Sequence, residues 1–142
     1  MTVTALESLL VMEIGTSVAG SYAAKLFADY GSEVHVLGSD HTPSQTLFFD
    51  ASKHVGDSDL STQADVIIQS SGSGPLDTPL EPLRPDQIVL RITPFAGTGP
   101  YADWNSTDLV DAAIGGHLRL SGDPKREPLN GVPDLVHMAA GV

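Results

Sequence analysis

The chain contains no cysteine, so disulfides, thiolate zinc sites and a cysteine nucleophile are all excluded. The absence is compatible with a reducing cytosol, and we predict a cytoplasmic location. Long apolar runs are also absent. The N-terminus carries Glu7 and Glu13 with no basic flank, which argues against an ordinary secretory signal, and no stretch approaches the length of a membrane span. We therefore predict no membrane association.

Positive charge is scarce. Seven Lys and Arg residues stand against 18 Asp and Glu, and the net charge is −11 at pH 7. Because binding to a phosphate backbone depends on clustered cations, and the seven here are scattered, nucleic acid is excluded as an expected partner. The acidic surface is more simply a solvated face that keeps the chain dispersed.

The histidines and paired acids do not form a recognisable metal motif. Five histidines are present, none at ligand spacing, and His35 lies among apolar neighbours on a predicted strand. Asp108 and Asp111 share one helix face, where Asp108 suits the positive end of the helix dipole better than a paired-carboxylate site. We predict no metal site.

The segment from Leu9 to Leu37 predicts a strand, a turn of small residues, an amphipathic helix and a second strand. Such a βαβ unit has a right-handed crossover, which brings the turn Gly15–Ser21 to the carboxyl edge of the sheet. The turn lacks the second glycine of a dinucleotide fingerprint, and Ser21 and Tyr22 replace the Lys and Ser/Thr of a P-loop. Close packing of helix on sheet explains its small residues equally well.

Further strand signals extend this pattern along the chain. We predict parallel strands at Leu9–Ile14, Glu33–Leu37, Asp65–Gln69 and Gln87–Ile92, an irregular stretch over residues 38–62, and a helix from Asp108. The fold class is then α/β, a Rossmann-like parallel sheet with helices on both faces, within a single domain over residues 1–142. The Gly15–Ser21 turn, the Ser70–Gly74 loop and the Pro94–Pro100 segment should meet at one edge.

Several segments together resemble the class III CoA-transferases, the CaiB/BaiF family. The most specific is Pro94–Asp103, PFAGTGPYAD. It is supported by Ala19-Gly20-Ser21-Tyr22-Ala23, by Ala28–Val34, by the strand beginning at Ala64 and by Gly131–Gly141. Their order and spacing agree with the N-terminal portion of that family, apart from a shortened stretch near residues 38–62.

The resemblance implies CoA transfer between acyl thioesters and carboxylates through an aspartate that forms a mixed anhydride. Aligned on Gly141, that aspartate corresponds to His137, and an acyl-imidazole would be a different intermediate. Asp134, about one helical turn earlier, is the alternative carboxylate. The racemase branch of the family pairs a histidine with the aspartate, but Thr107 occupies that histidine's place before Asp108.

The resemblance also implies where CoA or an acyl-CoA would bind. Backbone donors near Val18, Ala19 and Gly20 correspond to the family's ligand turn. Lys53, in Ser52-Lys53-His54, is the retained cation that could meet a phosphate, although an ordinary exposed lysine is an equal alternative. Ser70 and Ser71 stand where the family has an E-N-F segment, and they are predicted to contact the ligand.

Two kinds of function follow. The first is a CoA-transferase-like domain that binds acyl-CoA and, when completed by another segment or partner, transfers CoA between acyl thioesters and carboxylate small molecules. An acyl-CoA racemase-like domain is a variant of this function. By itself the chain is expected to be inactive. The second is a non-catalytic domain kept for binding or oligomer contacts. Apolar residues near the C-terminus, Leu135, Val136, Met138 and Val142, predict a homo-oligomer or a complementing partner segment.

Overall fold

The protein is described by a computed structural model that covers residues 4–38, 40–72, 76–77 and 80–142. A five-stranded sheet forms its centre, with strand order β3-β2-β1-β4-β5 and every neighbouring pair parallel. The strands are β1 Leu10–Gly15, β2 Glu33–Leu37, β3 His54–Gly56, β4 Val66–Ser70 and β5 Ile88–Ile92. The α-helices are α1 Val18–Asp29, α2 Pro43–Phe49, α3 Asp108–Ile114 and α4 Leu135–Ala140. The predicted α/β fold with a parallel sheet is confirmed.

The central strands are buried because β1 and β4 have neighbours on both sides. All five residues of β4 are buried, as expected for an inner strand of a parallel sheet. On one face, Ala23 and Ala24 of α1 pack against Val11, Val34 and Ile68. On the other face, Met12 and Ile67 pack with residues of connecting segments, including Leu60, Ala64 and Leu80. The core therefore lies on both sides of β1 and β4.

The predicted strands match the observed ones to within one residue at each end. The prediction of an irregular stretch over residues 38–62 is wrong for α2 and β3. A helix begins at Pro43 because Pro suits the first helical position and the Gln45 side chain accepts a hydrogen bond from the Thr42 N–H at 3.0 Å. The β3 strand forms through pairing with β2, although its residues are exposed.

After β5 the chain forms mostly turns and short helices. A 3₁₀ helix, His117–Leu120, follows α3, and Gly131–Pro133 leads into α4 without forming a strand. The predicted Ser70–Gly74 loop lies partly outside the described residues, which here end at Gly72. Among the helices described, none is long and apolar enough to cross a membrane.

Candidate functional site

A cleft of about 430 Å³ opens at the carboxyl edge of the sheet. It lies at the point where the strand order reverses. From β1, the sheet extends to β2 and β3 on one side and to β4 and β5 on the other. Thr16–Ala19 line it after β1, Ser71 and Gly72 after β4, and Pro94 and Phe95 after β5. Open parallel sheets bind ligands at this switch point. The predicted meeting of the three segments at one edge is confirmed for these described residues.

The turn between β1 and α1 is shaped by two glycines. Gly15 has a φ of 116°, a conformation that favours glycine, and a Cβ there would collide with the Ser70 carbonyl oxygen. Gly20 lies against the Ser70 side chain, so a Cβ there would come within 2.6 Å of the Ser70 Cβ. Ser17 caps α1, because its hydroxyl oxygen accepts a hydrogen bond from the Gly20 N–H at 2.9 Å.

Helix α4 brings His137 to the opposite wall of the cleft. The C-terminal end of α4 packs on α1 at Gly141, where any side chain would collide with the Ala19 carbonyl oxygen. The His137 Nε2 lies 2.9 Å from Asp111 Oδ2, on α3. An ionised carboxylate only accepts hydrogen bonds, so Nε2–H donates to Asp111, which fixes the orientation of the ring. In the neutral ring the lone pair is then on Nδ1.

Two further carboxylates face Nδ1 of His137. Asp134 Oδ1 lies 3.8 Å away and Asp108 Oδ1 lies 4.0 Å away, both beyond hydrogen-bonding distance. Asp134 caps α4 with a φ of 64°, and it is the one non-glycine residue in the left-handed region among the residues described. Such a conformation is unfavourable for aspartate and is often found at functional sites. The wall therefore combines an oriented imidazole with a carboxylate whose residue has an uncommon, left-handed backbone conformation.

Five of the residues that the sequence singles out for a site line one cleft: Val18, Ala19, Ser71, Asp134 and His137. The other three lie elsewhere. Gly20 and Ser70 are buried behind the lining and pack α1 against β4. Lys53 does not line the cleft and contacts the backbone of α1 at Ser21.

The placement of Lys53 corrects its prediction as a phosphate ligand. Its side chain is 0% exposed, and its ammonium lies 2.6 Å from Glu13 Oε2 and 3.6 Å from Asp50 Oδ1. It also donates to the Ser21 carbonyl oxygen at 3.0 Å. Glu13 is likewise fully buried, so the lysine compensates a carboxylate inside the fold. Sequence alone does not reveal the pairing with Glu13, because the two residues lie 40 positions apart along the chain.

Ser21, His41 and Asp50 complete this buried network, which we define as Glu13, Ser21, His41, Asp50 and Lys53. The His41 ring joins Ser21 Oγ at 3.1 Å to Asp50 Oδ2 at 2.9 Å, an order reminiscent of a serine nucleophile with its base. However, Ser21 is 0% exposed and donates to Glu13 Oε1 at 2.6 Å. Its hydroxyl is out of reach of a substrate, and the network is structural.

Several functional candidates emerge only from the structure. Asp111 orients His137, although sequence spacing assigns it only to a helix face. Phe95 lines the cleft and belongs to an aromatic cluster with Tyr101 and Trp104, whose rings lie 4.7 Å apart. Phe95 and Tyr101 belong to the PFAGTGPYAD segment and Trp104 directly follows it, but their contact with one another is visible only in the structure. Thr107 caps α3 by accepting a hydrogen bond from the Val110 N–H at 3.4 Å, a purely structural role.

Comparison with known proteins identifies similar sequences and structures. A family model described as CoA-transferase family III matches residues 58–142. The succinyl-CoA–D-citramalate CoA-transferase of Chloroflexus aurantiacus is 26% identical over an alignment that covers 87% of this chain. The succinate–glutarate CoA-transferase of Agrobacterium fabrum is 24% identical with 96% of the chain covered. The chain spans 39% and 44% of the lengths of these relatives.

Solved structures agree on the fold. A CaiB/BaiF family protein from Brucella suis superposes with a TM-score of 0.79 at 22% identity, covering 97% of this chain and 46% of that one. A protein from Mycobacterium tuberculosis superposes with a TM-score of 0.72 at 23% identity, covering 98% and 46%. The family match extends over more than half of the chain and includes α3, α4 and the wall of the cleft. The chain therefore belongs to CoA-transferase family III.

Proposed function

We propose that the cleft binds the acyl end of a CoA thioester and that the chain takes part in CoA transfer between thioesters and carboxylates. The observation that carries the proposal is the position of Asp134 and His137 on one wall of a cleft at the switch point of the sheet. The names of the two relatives suggest small dicarboxylates as acyl groups and acceptors. A cytoplasmic location belongs to the same proposal.

Asp134 is the proposed nucleophile. Its carboxylate oxygen attacks the thioester carbonyl carbon, the carbon–sulfur bond breaks, and CoA leaves as a thiolate while the acyl group remains on Asp134 as a mixed anhydride. Attack by CoA thiolate on the aspartyl carbonyl then releases the first acid and leaves an enzyme-bound thioester. A second carboxylate attacks that thioester to form a new anhydride with Asp134. The thiolate that leaves then attacks the new acyl carbonyl, which forms the second thioester and regenerates Asp134.

His137 is proposed to assist rather than to carry the acyl group. The Asp111 hydrogen bond holds Nδ1 on the Asp134 side, where a protonated ring can donate to the developing oxyanion or steady the leaving thiolate. Because Asp111 is proposed to act through the His137 ring, it is a positioning residue.

The phosphates of CoA need cations or N–H donors as binding partners, and the cleft contains few of them. None of the described residues that line the cleft is Lys or Arg, and Lys53 is enclosed by its own carboxylates. The first-turn N–H groups of α1, at Val18 and Ala19, offer a helix N-terminus to an anion. We therefore expect this chain to bind CoA weakly by itself and more tightly with a cation-bearing partner segment or a second copy.

The test follows transfer of isotope-labelled glutarate or citramalate into a CoA thioester, with succinyl-CoA as donor and the purified chain as catalyst. Asp134→Asn should lower the rate at least about hundredfold, since loss of a covalent nucleophile is rarely compensated. His137→Gln should lower the transfer rate less than Asp134→Asn does, and Asp111→Asn should alter the pH dependence of the rate. After acid quenching, peptide mapping should find the acyl mass on Asp134.

Asp103→Asn is the matched control, because this carboxylate is exposed and does not line the cleft. It should leave the rate unchanged. Acylation of His137, or equal rates for the Asp134→Asn variant and the control, would overturn the assignment of the nucleophile.

A non-catalytic function is the second candidate, favoured by the imidazole at the position where the family carries its aspartate. Three carboxylates, Asp108, Asp111 and Asp134, also surround this imidazole, which disfavours approach of an anionic acyl group. Calorimetric titration with CoA separates the two proposals. The binding function would be supported if the Asp134→Asn variant still binds CoA and the unmodified chain transfers CoA to none of the acceptors.

A further inference from the structure

A second cluster of polar side chains lies at the opposite edge of the sheet from the cleft. Glu33 is the first residue of β2 and His54 the first residue of β3, so both stand at the amino ends of their strands. The strand register pairs His35 with His54, and Glu33 lies on the same face two residues before His35. The sequence gives no spacing signal for this cluster because the register alone brings the histidines together.

The three side chains already face one another. The two imidazole rings stack with centroids 4.9 Å apart and an interplanar angle of 28°. His35 Nε2 lies 2.9 Å from Glu33 Oε1. One ligand atom from each of the three residues lies within 4.8 Å of the others. Around a tetrahedral zinc ion, neighbouring ligand atoms are about 3.3 Å apart, so small side-chain rotations would close the set.

The donor set is that of a transition metal. Two imidazoles and one carboxylate suit Zn²⁺, Cu²⁺ or Ni²⁺, whereas Ca²⁺ and Mg²⁺ prefer oxygen ligands alone. Glu33 and His54 are exposed, which gives an ion access from solvent. The net charge of −11 favours the approach of a cation.

We propose that Glu33, His35 and His54 form a site for a divalent transition metal ion of the zinc class, which ties β3 to β2. The β3 strand has three exposed residues at the edge of the sheet, so few apolar contacts hold it. A metal bridge between His35 and His54 would fix this strand. An ion that binds only the folded chain raises its stability by mass action.

The experiment titrates the chelator-treated protein with Zn²⁺ and follows heat of binding and the thermal unfolding midpoint. We expect saturable binding and a rise in the midpoint, and no comparable rise with Ca²⁺. His54→Gln and His35→Gln should each weaken Zn²⁺ binding at least about tenfold and remove the rise. Because His54 is exposed, its variant should fold, which circular dichroism verifies.

Two further variants make the result specific. His117→Gln removes a histidine outside the cluster and should bind Zn²⁺ like the unmodified chain. His137→Gln tests Asp108, Asp134 and His137, whose ligand atoms also lie within 4.8 Å of one another. No Zn²⁺ binding by the unmodified chain, equal affinity in His54→Gln, an equal effect of Ca²⁺, or loss of the stabilising site in His137→Gln would each overturn the proposal.

Discussion

The ammonium group of Lys53 is fully buried between the carboxylates of Glu13 and Asp50. Taking charges out of water is costly, and mutual attraction offsets that cost only while each charge keeps its partner. Lys53 therefore compensates buried carboxylates, and its removal should be costly. Its role is to neutralise the carboxylates that are buried next to α1.

Removal of this ammonium should leave the buried Glu13 carboxylate without its counter-charge, whereas Asp50 keeps its contact with His41. We expect Lys53→Met to lower the free energy of unfolding by about 3–5 kcal/mol in urea denaturation. Lys25→Met is the matched control, because Lys25 pairs with the partly exposed Asp29 and should cost about 1 kcal/mol or less. The double variant Glu13→Gln with Lys53→Met should recover part of the loss. Similar losses for the two lysines would contradict the role of the network.

At the scale of elements, the contact of α1 with β4 determines the shape of the cleft. Gly20 lies directly against Ser70, and the turn from Thr16 to Ala19 is held there as one wall of the cleft. A single methyl group at residue 20 should therefore push the helix away from the strand. The obstacle is a side chain, so it can be removed.

We expect Gly20→Ala to lower the free energy of unfolding by about 1–3 kcal/mol, because its Cβ would overlap the Ser70 side chain. In a Ser70→Gly background the same change should be neutral or stabilising, since alanine favours a helix over glycine by about 1 kcal/mol. Gly97→Ala is the control, as a Cβ there meets nothing within 4 Å. Urea denaturation of the four variants and the unmodified chain measures this, and a loss of the same size in both backgrounds would exclude the steric explanation.

The elements that sequence predicts best are those whose own residues carry the signal. The central strands β1 and β4 have runs that are largely buried in the sheet, and small residues mark the β1–α1 turn. The β3 strand, His-Val-Gly, carries no such run, and only its pairing with β2 makes it a strand. His137 likewise is identified from the sequence by resemblance, but its contact with Asp111 is not, because that contact depends on how α3 and α4 pack. Contacts across elements are not readable from spacing.

At the scale of the whole molecule, burial is unevenly distributed. The core consists almost entirely of residues from the β1–β4 region, with Ala112 as the one buried apolar side chain after β5 among the residues described. Beyond β5, large apolar side chains are exposed, among them Leu120 at 86%, Leu129 at 62% and Val132 at 70%. Of the four residues predicted from sequence to be uncovered, Leu135 and Val142 are exposed, whereas Val136 and Met138 are half-buried. A second protein surface that packs on this region would bury these apolar side chains.

We expect the chain to self-associate through this apolar surface, because exposed patches of this kind usually mark interfaces. Light scattering coupled to size-exclusion chromatography should give an apparent mass that rises with protein concentration. Leu120→Lys should shift that rise to higher concentration by adding a charge to the surface. Leu47→Lys is the matched control, because Leu47 is 79% exposed but lies on α2, outside this region. A constant monomer mass at high concentration, or an equal response of both variants, would show that these apolar side chains do not form an interface between copies of the chain.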